Sequence, residues 1–209
     1  MPTLRKLCRD GKLVKVRAAL ARGVHVNGKG SFGKTALMQA VSHGHNSIVK
    51  LLLDQPGVKV NEENIYVNTA LHYAAWSNNP EGARLLLLHP DFNLANATNK
   101  NGFTALHCAA NNNNPEVVRL LLLHPGFNSA NATDDNGYTA LHYAAMNNNP
   151  EVARLLLLHS GFNSANATDN DGLTALMYAV KNRKKEVLVE LVRHDSISLE
   201  IPDGEFDER

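Results

Sequence analysis

Apolar and polar positions along the chain fall into blocks that return every 34 or 35 residues. The string Thr-Ala-Leu-His or Thr-Ala-Leu-Met begins at Thr35, Thr69, Thr104, Thr139 and Thr174. Between these marks come Asn-Asn-Pro-Glu, then Arg followed by a run of leucines and His, then Phe-Asn-x-Ala-Asn-Ala-Thr. Segments 102–136 and 137–171 differ at only seven of 35 positions. A period this regular means one supersecondary unit stacked several times, each burying its apolar face against its neighbours.

The unit reads locally as helix, turn, helix, loop. Thr104 is a good N-cap, and Leu106, Ala109 and Ala110 give a short first helix with small residues for close packing. His107 lies three residues after the cap, where a capping-box side chain reaches back. Asn112 and Asn113 end that helix, because Asn tolerates the left-handed conformation. Asn114-Pro115-Glu116 restarts the chain with a cap, a proline at the first helical position and an acid suited to the helix dipole. Val117, Val118, Leu120, Leu121 and Leu122 make the second helix, closed by His124 and Pro125-Gly126. Asp134-Asp135-Asn136-Gly137 is turn chemistry and predicts a projecting hairpin-like loop.

Asp134-Asp135-Asn136-Gly137-Tyr138-Thr139-Ala140-Leu141-His142, followed by Ala144 and Ala145, closely resembles the ankyrin repeat. That family's pattern is an acid or amide, two residues, Gly, one residue, Thr-Pro-Leu-His, then two alanines. The likeness spans residues 3 to about 200 and recurs five times. Alanine replaces the motif's proline throughout, Val67 stands where Gly is expected, and Met38 and Met177 replace the histidine. The units are two residues longer than the family's usual 33, the extra length lying after the second helix. The resemblance implies an all-α solenoid of about six helix-turn-helix units with hairpin-like loops. We divide it into an N-terminal cap (3–31), repeats 32–66, 67–101, 102–136 and 137–171, and a C-terminal cap repeat (172–201). Together they form a single domain over 1–201, and 202–209 is expected to fray.

Composition narrows the class. The 209 residues are 44% hydrophobic, with 21 basic and 20 acidic side chains, too apolar for a disordered chain and without a global charge bias. Cys8 and Cys108 are too sparse for a disulfide framework and suit a reducing compartment. The first residues lack the apolar stretch of a signal peptide, and no leucine run approaches the roughly 20 residues needed to span a bilayer. These features predict an intracellular protein, cytoplasmic or nuclear.

Several motifs tempt a chemical reading. Gly28-Lys29-Gly30-Ser31-Phe32-Gly33-Lys34-Thr35 fits the phosphate-loop spelling, but Gly33 and Thr35 are ordinary repeat positions and no βαβ unit surrounds them. His72, His107 and His142, with His89, His124 and His159, follow the repeat period. Equivalent positions on stacked helices lie roughly 8–10 Å apart, whereas zinc ligands must all reach within about 2.1 Å of one ion. The first set is read as caps and the second as complements to helix C-termini. The Asn-Ala-Thr sequons at Asn96, Asn131 and Asn166 are read as loop residues whose amides bond the backbone. Asp91-Phe92-Asn93 has the spelling of the hydroxylated triplet the family is known for, but lies out of register. No nucleophile elbow or paired acidic motif marks an active site. No enzyme activity, cofactor or metal is expected.

The seven differences between the two most similar repeats point to a binding surface. Phe103/Tyr138, Asn111/Met146, Asp135/Asn170 and Asn136/Asp171 fall in the hairpin tip or just after the first helix's alanines; Cys108/Tyr143 falls inside that helix. In ankyrin-like proteins those places line the concave face. Mapped over the units, the candidates for partner binding are His43, Asn68, Trp76, Phe103, Asn111, Tyr138, Met146, Leu173 and Lys181. Exposed aromatics beside Asn have the composition of an interface core. Phe103, Tyr138 and Leu173 have an alternative role as packing between adjacent hairpins. The expected function is a protein-interaction scaffold or adaptor, with no nucleic acid and no membrane partner. Residues 1–50 hold ten Lys/Arg and one acid, and residues 186–209 hold eight acids and two arginines. The alternative function is therefore weak head-to-tail self-assembly through the charged ends.

Overall fold

The computed structural model describes residues 2–199. The tail expected to fray, 202–209, and most of the C-terminal acids lie outside that range. Helices come in six successive pairs: α1 (Leu4–Arg9) with α2 (Leu13–Ala21), α3 (Ala36–Ser42) with α4 (Asn46–Leu53), and α5 (Ala70–Trp76) with α6 (Pro80–Leu87). The last three are α7 (Ala105–Asn111) with α8 (Pro115–Leu123), α9 (Ala140–Met146) with α10 (Pro150–Leu157), and α11 (Ala175–Lys181) with α12 (Lys185–Val192). Each first helix packs on the first helices of its neighbours, and each second helix on the second, giving two layers. Among the described residues there is no strand, only isolated bridges Thr133–Thr139 and Thr168–Thr174 that close two hairpins. No described helix is long and apolar enough to cross a membrane.

The core is the repeat read out in side chains. Leu71, Leu106 and Leu141 from the first layer and Leu86, Leu121 and Leu156 from the second are fully buried. Each contributes about 1.5–3 kcal/mol through loss of apolar surface to water. Ala74, Ala75, Ala109, Ala110, Ala144 and Ala145 are buried where first helices meet, so backbones approach closely without cavities. Cys8 and Cys108 are free and buried, and burial pushes both thiols up to about 12.

The capping box holds as expected. Thr104 Oγ1 accepts from the His107 amide at 3.3 Å, while the Thr104 amide donates to His107 Nδ1 at 3.1 Å. The box recurs at Thr69/His72 and Thr139/His142, and Met38 and Met177 present sulfur to the Thr35 and Thr174 amides. A second function follows from the other ring nitrogen. His107 Nε2 donates to the carbonyls of Ala132 and Tyr138 (both 3.0 Å), His72 Nε2 to Phe103, and His142 Nε2 to Leu173. Nδ1 must accept and Nε2 must donate, so the neutral Nε2–H tautomer is selected.

Two local readings need correction. Asn114 and Asn149 occupy N-cap positions but do not cap with their side chains. Their amides donate back to the carbonyls of Ala75 and Ala110 in the last turns of α5 and α7. Only Asn79 also caps its own helix, accepting from Gly82 at 2.8 Å. The rings of His89, His124 and His159 are engaged in closing the loops that follow the second helices. Each Nδ1 accepts the amide two residues on, at Asp91, Gly126 and Gly161 (3.2 Å), closing the loop.

The sequon asparagines belong to a longer ladder. Asn27, Asn61, Asn96, Asn131 and Asn166 each donate Nδ2 to a carbonyl of the next unit: Gly57, Asp91, Gly126, Gly161 and Ser196. Each Oδ1 also accepts an amide from that unit, as from Asn128 to Asn96 at 2.8 Å. The Nδ2 atom a glycan needs is therefore held in an inter-repeat bond.

Val67 keeps the backbone its glycine counterparts use, with φ +62° beside +75°, +82° and +82° at Gly102, Gly137 and Gly172. A β-branched residue in the left-handed region stores strain of about 1 kcal/mol. Val67→Gly is expected to stabilise the protein by roughly 0.5–1 kcal/mol, after the entropy glycine adds to the unfolded chain. Urea midpoints of the two proteins test this. A lower midpoint for the variant would mean that packing of the half-buried Val67 side chain outweighs the strain.

Candidate functional site

The hairpin tips are built by one polar residue each. Asp134 Oδ1 accepts the amides of Asn136 and Tyr138 (2.9 Å), and Asp169, Asn99 and Asn64 do the same in their units. Adjacent tips are then joined. The amides of Ile65, Lys100, Asp135 and Asn170 donate to the carbonyls of Phe32, Tyr66, Asn101 and Asn136. Backbone amides that would otherwise be free in a loop thus lock the tips into one row.

On this row the first two tips are aromatic. Phe32 and Tyr66 are exposed and stack with ring centroids 6.2 Å apart. Trp76, the last residue of α5, is 45% exposed on the same side. Lys34 Nζ sits 4.8 Å from the Tyr73 ring centroid, a cation–π contact. Together these residues, with Lys100, line a cleft of about 450 Å³. A larger groove, about 540 Å³, lies among the loops near Lys29, Glu62 and Asp91. Lys29 and Lys59 there pair with Glu62, at 2.5 and 3.7 Å, and the groove presents no aromatic anchor.

The residues singled out from sequence are spread along the row. Trp76 and Asn68 border the cleft, but Asn68 is buried and its Oδ1 accepts from Asn99 at 2.9 Å. Phe103 is half-buried against Tyr143 (5.2 Å) and His107 (5.9 Å). Tyr138 lies edge-on to Tyr143 and Tyr178, its hydroxyl 3.1 Å from that of Tyr178. Met146 packs on the core, and Asn111 accepts from Asn147 at 2.9 Å. Half-buried Leu173 supplies its carbonyl to His142. His43 and Lys181 are exposed toward opposite ends, His43 Nδ1 lying 2.9 Å from the Gln39 carbonyl.

The Cys108/Tyr143 difference belongs to the core, because both side chains are buried. Tyr143 donates its hydroxyl to Asp134 Oδ2 at 2.5 Å, and burial together with this bond pushes its phenol above the ordinary range. Sequence reading missed Phe32, Tyr66 and Tyr73. The signal was present: at the position before the left-handed tip residue, three units carry Asn101, Asn136 and Asp171, and two carry Phe32 and Tyr66.

The phosphate-loop spelling folds as a hairpin. Gly30 donates to the Lys34 carbonyl and Gly33 to the Gly30 carbonyl, and the Arg5 side chain lies against Gly30. Among the described residues no three metal-ligating side chains come together.

Segments 4–96, 67–129, 90–169 and 122–203 each match the family model described as ankyrin repeats in three copies. The BTB/POZ domain-containing protein 1 of Schizosaccharomyces pombe is 40% identical over 83 residues, 38% of this chain. The chain spans only 6% of that relative's length. An ankyrin repeat domain from Acinetobacter baumannii AYE superposes with a TM-score of 0.76 at 24% identity, covering 91% of this chain and 96% of that one. A second solved ankyrin repeat protein gives 0.78 at 28% identity, covering 92% and 98%. The five-fold motif, the two layers of paired helices and matches running from residue 4 to residue 203 agree, and the chain belongs to the ankyrin repeat family.

Proposed function

We propose that this protein is an interaction scaffold that takes a protein partner on the concave face formed by the hairpin tips and first helices. Ankyrin repeats generally mediate protein–protein interaction and are generally not enzymes. The observation that carries the reading is the grouping of exposed Phe32, Tyr66 and Trp76 around one cleft on hydrogen-bonded tips. Anchors already held in place lose little freedom on binding, so a few aromatic rings supply most of the affinity. Asn68 frames this anchor. Asn111, Met146, Lys181 and His43 on the first helices, with Phe103, Tyr138 and Leu173 on the tips, extend the contact surface. An intracellular setting fits two buried, unpaired thiols. Head-to-tail stacking, suggested by the basic first 50 residues, is a second reading; it dissolves as salt rises.

The test is affinity capture from cell lysate with wild type and Phe32→Ala/Trp76→Ala as baits. The double variant is expected to lose the captured partner, roughly a 100-fold drop in affinity, at an unchanged thermal midpoint. Equal capture by both baits would refute the cleft as the anchor.

A further inference from the structure

A stripe of leucines runs along the second-helix layer, away from the tips. Leu88 (68% exposed), Leu123 (76%) and Leu158 (68%) occupy the same position in three consecutive units, each 19 residues after its capping threonine. They sit at the C-terminal ends of α6, α8 and α10, where the chain leaves the helix. The same position is Asp54 at the end of α4 and Arg193 at the end of α12, both exposed. The row therefore reads Asp54, Leu88, Leu123, Leu158, Arg193, with rungs about 10 Å apart.

Leucines elsewhere in these helices are buried or half-buried, so three exposed in register form an apolar strip. Its border is already neutralised. Arg84 pairs with Glu81 at 2.6 Å, Arg154 with Glu151 at 2.5 Å, and Arg119 reaches Glu151 at 3.4 Å. Asp54 and Arg193, by contrast, take part in no ion pair among the described residues.

We infer that this stripe docks a second copy of the chain in antiparallel fashion. A two-fold axis through Leu123 places Leu123 on its own mate, Leu88 on Leu158, and Asp54 against Arg193 at both ends. The contact is isologous and closes at two subunits. The order of side chains selects the direction: parallel pairing would set Asp54 on Asp54 and Arg193 on Arg193, which like-charge repulsion disfavours. A strip this short gives a weak, micromolar-range dimer. The surface is separate from the cleft around Trp76, so one copy's partner site stays open while it pairs.

Sedimentation equilibrium of the full chain over a range of concentrations tests the assignment. Wild type is expected to shift from monomer to dimer and no further. Leu123→Glu, which sets two carboxylates across the axis, is expected to weaken dimerisation more than about 100-fold. Asp54→Arg is expected to weaken it about 10-fold, and Asp54→Arg/Arg193→Asp to restore it. All these positions are exposed, so circular dichroism should show unchanged folding. Under mild oxidation, Leu88→Cys mixed with Leu158→Cys should cross-link, whereas Leu88→Cys alone should not. A wild type that stays monomeric, an open-ended series that disappears in salt, or a swap that fails to restore pairing would each overturn the inference.

Discussion

Gly137→Ala is expected to destabilise the protein by about 3 kcal/mol or more, while Gly172→Ala, at the same φ of +82°, costs only about 1 kcal/mol. The two glycines share a backbone conformation and differ in what faces them. A Cβ on Gly137 would lie 2.8 Å from the Asn170 amide nitrogen and 2.9 Å from the Asp169 Cα, both backbone atoms of the next hairpin. That hairpin cannot yield without breaking the bond from the Asn170 amide to the Asn136 carbonyl. At Gly172 nothing lies within 4 Å among the described residues, so only the left-handed conformation is taxed. Urea denaturation of both variants measures the difference directly. Equal costs would mean that the tips separate easily, and that the locked row of hairpins is not rigid. Because a solenoid's stability is a sum of local units and interfaces, Gly137→Ala should also split unfolding into two phases at that junction.

His107→Ala is expected to cost about 3–4 kcal/mol, and His107→Met about half as much. Alanine leaves a cavity, removes the acceptor for the Thr104 amide, strands the carbonyl of Ala132, and leaves that of Tyr138 with the Asp134 amide alone. Methionine restores one of these, since sulfur accepts the threonine amide in the units of Met38 and Met177. The same geometry makes stability depend on pH. Burial lowers the pKa values of His72, His107 and His142 below their ordinary 6.5, against the raising effect of their bonds to backbone carbonyls. In the unfolded chain these rings take up protons near 6.5, and in the folded chain only at lower pH. The stability they support is therefore complete above about pH 6.5 and falls as pH drops through the lowered values, by at most about 1.4 kcal/mol per pH unit per ring. Denaturation midpoints at pH 7.5, 6 and 5 should decline accordingly, and His107→Met should flatten the decline. An identical slope in the variant would remove His107 from the linkage.

The periodic leucines, alanines and Thr-x-x-His boxes determined the architecture without any coordinates. They act within a few residues of themselves, through helix periodicity and capping, and the period says that each unit meets a copy of itself. The same logic assigned the amides of Asn96, Asn131 and Asn166 to backbone. What lay beyond local reading was which neighbour each polar group would choose. Asn114 has the spelling of a cap, yet its amide reaches the carbonyl of Ala75, 39 residues earlier, because stacking brings that unpaired group within range. The second nitrogen of each capping histidine found its carbonyl only once the following hairpin was in place. The partner face divided for the same reason. Trp76 stays exposed, while Phe103 and Tyr138 meet Tyr143 and Tyr178 from neighbouring units and Asn68 meets Asn99. Side-chain exposure at a fixed repeat position depends on what the next unit carries there, and that is decided across the interface between units.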